Sequence, residues 1–146
     1  MKRKWWSYLL ISSKDGNLGY LLFRVFFGAA FIVHGYPKIF GGVEKWSQLG
    51  GAMSRIGIDF LPTFWGFMAA FAEFFGGVFL IMGLFTTISS FLIFFTMFIA
   101  AFVVHKGDPF LKRELAICYF FASMMFTLKG AGRFSLDALI AKPRDQ

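Results

Sequence analysis

The chain has 146 residues, of which 58% are hydrophobic and 21% aromatic, with 23 phenylalanines. A soluble domain of this length could not bury so many large apolar side chains, whereas a bilayer accommodates them, so an ordinary water-soluble enzyme is excluded. The formal net charge of +7 lies at the ends and in the loops, which points to anionic lipid headgroups rather than nucleic acid, and the single cysteine, Cys118, excludes an internal disulfide or CxxC pair.

Residues 1–17 open with Lys2, Arg3 and Lys4, followed by a short apolar run and the polar stretch SSKDGN. Seven residues, Trp5 to Ile11, are too few for a signal-peptide core, and no small-residue cleavage site follows. This segment reads as a basic, aromatic anchor lying in the membrane interface.

A first helix is expected over 18–36, LGYLLFRVFFGAAFIVHGY, with Asn17 as a cap and Pro37 ending or kinking it. At 100° per residue Arg24, Gly28, Phe31 and Gly35 share a face, with His34 and Lys38 within about a quarter turn. Arg24 can either snorkel to the near membrane surface or pair with a buried acid.

Residues 38–62 form a long connection punctuated by Gly41-Gly42 and Gly50-Gly51. Trp46, Leu49, Met53 and Ile56 recur at spacings of three and four, as in short amphipathic helices on a membrane surface.

The second span, 64–85, reads FWGFMAAFAEFFGGVFLIMGLF and carries one carboxylate, Glu73, near its middle. Gly66, Ala69, Ala70, Gly76, Gly77 and Gly83 fall on or beside the Glu73 face, and Phe67, Phe71, Phe75, Phe79 and Met82 fall mostly opposite. Small residues let helices approach closely in lipid, so Glu73 is expected to face the protein. A carboxylate at that depth costs several kcal/mol unless it is paired, protonated or wetted. Arg24 is the expected partner in a structural ion pair.

A third helix is expected over 88–104, ending at His105, and a fourth over 112–128, with Glu114 in its first turn. The tail 129–146 is basic, and its Arg133 and Asp137 are spaced for an i,i+4 pair on a short helix. The expectation is therefore an all-α polytopic membrane protein. Its core is a four-transmembrane-helix bundle over 18–128, with short amphipathic interfacial helices in the 38–62 loop and the C-terminal tail. Lys and Arg number eight on the side of the termini and six on the other, which places both termini in the cytoplasm.

In this topology His34, Lys38, His105 and Glu114 rim the outer mouth of the bundle, with Glu73 beneath. Several readings compete. The groups can simply neutralise one another and set helix register. They can hold the headgroup of a quinone or similar amphiphile, with a histidine as hydrogen-bond donor and Glu73 or Glu114 handling protons. His34, His105 and Glu114 are enough ligands for a metal on paper, but none sits at tight ligand spacing. Four helices are few for a transporter.

Arg24, Gly28, Phe31, His34-Gly35, Lys38 and Phe40, then Glu73 with Gly76-Gly77 and Gly83, then Ala100-Ala101 with His105, Glu114, and GAGRFSLD at 130–137 together resemble the DoxX family. The resemblance runs from about residue 18 to 137. It implies a four-helix bacterial inner-membrane protein. Relatives are named from a subunit of a thiosulfate:quinone oxidoreductase, and others look like membrane partners of redox or sulfur-stress enzymes. The resemblance thus favours an accessory subunit of a quinone-linked membrane redox complex, with further complex subunits as partners. A membrane scaffold or assembly subunit is the alternative. The chain is also distantly similar to four-helix membrane proteins that reduce disulfides, but it lacks their cysteine pair.

Overall fold

A computed structural model describes residues 17–141. The first sixteen residues of the interfacial anchor expected over 1–17 and the last five residues of the tail lie outside them. The described chain is all-helical. In order come α1 (Asn17–Ile39), α2 (Gly42–Gly50), a 3₁₀ segment (Gly51–Ile56), α3 (Pro62–Met82), α4 (Thr86–Phe98), a π-helical segment (Ile99–Val104), α5 (Phe110–Lys129) and α6 (Leu136–Ile140). Among the described residues three stretches are long and apolar enough to cross a membrane: Leu18–Ile39, Pro62–Met82 and Thr86–Val104.

Pro37 does not end α1, which runs on to Ile39. Proline removes only one backbone donor, and near a helix end the remaining turn closes without it. Here Phe40 N donates to Tyr36 O at 3.2 Å and Gly41 N to Lys38 O at 3.3 Å. The three extra residues keep Lys38 on the helix.

α1 lies along α3 at the separation that two glycines permit. A Cβ on Gly28 would sit 2.6 Å from Gly77 O, and one on Gly77 2.6 Å from Gly28 O. Seven residues along, a Cβ on Gly35 would sit 2.4 Å from Phe74 N. This is the close small-residue crossing that stabilises helices in lipid through van der Waals contact. The expected inner face of α1 is the observed one: Arg24, Phe31 and Phe27 are all buried, as are Gly28 and Gly35.

The connection also packs on the bundle. α2 crosses α3 so tightly that a Cβ on Gly66 would lie 1.7 Å from Trp46 O, and one on Gly50 1.7 Å from Pro62 O. α4 and α5 are joined by small hydroxyl residues. Ser90, Ser123 and Thr127 donate to backbone carbonyls of their own helices, and the Thr127 and Ser90 hydroxyls lie 3.1 Å apart. Between α1 and α5 the gap is filled by rings: Phe27 meets Phe126 and Tyr119 at 5.1 and 5.6 Å, and Phe31 meets Tyr119 at 4.9 Å. Such tilted and edge-on pairs are the favoured aromatic geometries.

Candidate functional site

The two ends of the bundle hold different polar groups. At one end α1 finishes, α3 begins, α4 finishes and α5 begins. There Gly35 brings α1 against the backbone of Glu73 and Phe74. One turn later Lys38 extends to Glu73, with Nζ 2.6 Å from both Oε1 and Oε2. Glu73 is 2% exposed and the Lys38 side chain 28% exposed. A bidentate, charge-assisted pair in so sheltered a place satisfies both ions. Trp46 Nε1 donates to Lys38 O at 2.9 Å, tying α2 to the end of α1.

The expected Arg24–Glu73 pair is therefore not formed. Arg24 lies at the level of Gly83, where a Cβ would sit 2.9 Å from its Cζ. That level is about 15 Å along α3 from Glu73, at 1.5 Å per residue, too far for a guanidinium to bridge. Arg24 instead donates to backbone carbonyls of the tail, Ala131 O and, at 2.6 Å, Phe134 O. The expected Arg133–Asp137 pair is also not formed. The Asp137 carboxylate accepts from Phe85 N at 2.8 Å and Thr86 N at 2.9 Å. It thereby caps α4, where unpaired N–H groups and the helix dipole attract an anion. The tail motif is thus a buckle across the far ends of α1, α3 and α4.

A cavity of about 310 Å³ opens beside the Lys38–Glu73 pair. Its wall is apolar, with Met53, Trp65, Met68, Leu92, Phe95 and Ile99 prominent, and its polar groups include Lys38, Glu73, Thr96 and His105. The π-helical segment forms part of this wall. Its widened turn closes with His105 N donating to Ala100 O, five residues back, at 3.0 Å. Such segments concentrate at functional sites because the extra residue leaves carbonyls free and turns side chains inward. One freed carbonyl, Val104 O, accepts from Arg55 Nη1 at 2.6 Å, which fastens the 3₁₀ segment over the cavity. His105 Nδ1 lies 2.7 Å from Asp108 Oδ2. The hydrogen bond from His105 holds the Asp108 carboxyl below its ordinary range, with Lys112 and Arg55 adding to the effect.

The family model described as DoxX matches residues 19–106. The chain belongs to the DoxX family. The matched part contains Arg24, Lys38, Glu73 and His105, while the tail buckle follows it. This DoxX chain is similar to a Bacillus subtilis (strain 168) protein whose name is printed as "Putative oxidoreductase CatD". The two are 32% identical over 131 residues, which is 89% of this chain and 92% of the relative. No solved structure gives a significant match.

Of the five expected ligand-binding residues of the DoxX chain, Lys38, Glu73 and His105 line the cavity, and His34 and Glu114 do not. His34 precedes Gly35 by one residue and so turns about 100° away from the face packed on α3. It is exposed and lies edge-on to Tyr119 of α5, with ring centroids 5.8 Å apart. Glu114 is exposed on the first turns of α5. Among the described residues no three His, Cys, Asp or Glu side chains gather to hold a metal. Reading the sequence also missed Asp108 and Arg55. Asp108 had a signal, because a carboxylate three residues after a histidine in the turn HKGDP is within reach of its ring. Arg55 had none, since its partner is a carbonyl 49 residues away.

Proposed function

We propose that this DoxX protein binds the headgroup of a quinone in the cavity beside Lys38 and Glu73. On this reading it is an accessory subunit of a membrane redox complex. The observation that carries the proposal is the cavity, an apolar slot ending in a buried ion pair and an imidazole. A quinone is a flat apolar ring with two carbonyl acceptors. Lys38 carries three N–H donors and directs two at Glu73, leaving one for a ligand. The oxidoreductase name of the Bacillus relative supports a redox setting. We further propose that α5 is the fourth crossing, its Lys112, Arg113 and Glu114 lying at the interface. Both termini would then face the cytoplasm across the bacterial inner membrane, with other subunits of the complex as partners.

The test is quinone extraction from protein purified out of native membranes, followed by binding measurements on variants. Lys38→Met is expected to weaken quinone binding about tenfold or more, the worth of one charge-assisted hydrogen bond, and His105→Ala to weaken binding of the corresponding hydroquinone. Full affinity in both would refute the proposal. A scaffold role is the second reading, favoured by the close pairing of Lys38 with the buried Glu73. It expects the same variants to lose thermal stability while turnover by partner enzymes is unchanged.

A further inference from the structure

The cavity offers two kinds of hydrogen-bonding group, and only one of them suits a quinone in its oxidised form. Lys38 is a donor under ordinary conditions. The character of His105 is decided by Asp108. A carboxylate 2.7 Å from Nδ1 fixes the ring proton on that nitrogen, so the neutral imidazole carries its lone pair on Nε2. His105 lines the cavity. A quinone carbonyl has no proton to give such an acceptor, whereas the hydroxyl of a hydroquinone has one.

We infer that the His105–Asp108 dyad makes the cavity selective for the reduced, hydroxyl-bearing form of its ligand, with Asp108 as a positioning residue. The inference rests on the cavity being a quinone site and adds which redox form it prefers. Protonation removes the preference. An imidazole carrying both protons turns Nε2 into a donor, which a carbonyl and a hydroxyl oxygen both accept. The other charges facing the dyad are Lys112 at the start of α5, Arg55 from the 3₁₀ segment, and Lys38 and Glu73 elsewhere in the cavity.

The protein is reconstituted in nanodiscs of phosphatidylethanolamine and phosphatidylglycerol. Titration calorimetry under anaerobic conditions then compares 2,3-dimethoxy-5-methyl-1,4-benzoquinone with its hydroquinone. At pH 8 the wild type is expected to bind the hydroquinone about fivefold more tightly, the worth of one ordinary hydrogen bond. At lower pH, once the ring carries its second proton, that preference should vanish. Asp108→Asn should abolish it at pH 8, because an amide N–H beside Nδ1 moves the ring proton to Nε2. Asp108→Glu should restore it. A merely structural Asp108 would change both affinities together and leave their ratio alone. Equal binding of the two probes at every pH overturns the inference while the cavity remains a quinone site. Failure of both probes to bind the wild type overturns the quinone reading itself. Should Asp108→Asn not fold, the wild-type pH profile decides alone.

Discussion

Replacing Lys38 by methionine tests the energetic role of the ion pair directly. Methionine keeps much of the aliphatic volume and removes the ammonium. Glu73 is then left 2% exposed with no cation within 4 Å among the described residues. Removing one partner of a buried pair costs about 3–5 kcal/mol, since the remaining ion keeps its desolvation penalty and loses its compensation. The Lys38 side chain is 28% exposed, so water can partly replace it, and the lower figure of about 3 kcal/mol applies. For a chain of this size that corresponds to a fall in Tm of about 6–12 °C. The double variant Lys38→Met/Glu73→Met should recover most of the loss, because exchanging a buried pair for apolar side chains is often close to neutral. Thermal unfolding of the four proteins of this cycle in one detergent measures the coupling directly. A single variant as stable as the wild type would refute the reasoning. So would a double variant no more stable than Lys38→Met.

Three further outcomes follow from the packing. Arg24→Met removes two charge-assisted bonds to tail carbonyls, so hydrogen exchange at residues 131–138 should speed up by tenfold or more. Its double-mutant cycle with Glu73→Met should show a coupling near zero, and a large coupling would contradict the separation of the two charges along α3. Gly66→Ala places a methyl group where only 1.7 Å separates it from Trp46 O. Overpacking of this kind costs about 1–3 kcal/mol or more, read as a lower Tm with quenching of Trp46 by solvent. Asp108 is held below its ordinary value of 3.8, chiefly by His105. A depressed carboxyl contributes stability above its unfolded value and loses it as pH falls through the folded one. Wild type and Asp108→Asn should therefore differ in Tm at neutral pH and converge below pH 3.8, which a pH series of melting curves checks.

What was legible in the amino-acid sequence is what depends on one helix at a time. Apolar runs of bilayer length marked the membrane helices, and helical periodicity placed Arg24, Gly28, Phe31 and Gly35 on one inward face. The same periodicity turned Glu73 toward its neighbours together with Gly76 and Gly77. His34 was misjudged for a local reason, since one residue of offset from Gly35 is enough to carry a side chain around to another face.

The choice of partners depended on three dimensions. The sequence shows that Arg24, Lys38 and Glu73 are charged, but not at what level α1 crosses α3. That level is set by the contacts of Gly28 with Gly77 and of Gly35 with Phe74, which bring Lys38 to Glu73 and leave Arg24 beside the tail. Asp137 caps a helix 51 residues earlier in the chain, and the π-helical turn before His105 carries no residue type that announces it. Periodicity reports the direction in which a side chain leaves its own helix, whereas an ion pair or a cavity depends on the axial offset between two helices, which arises only when they pack.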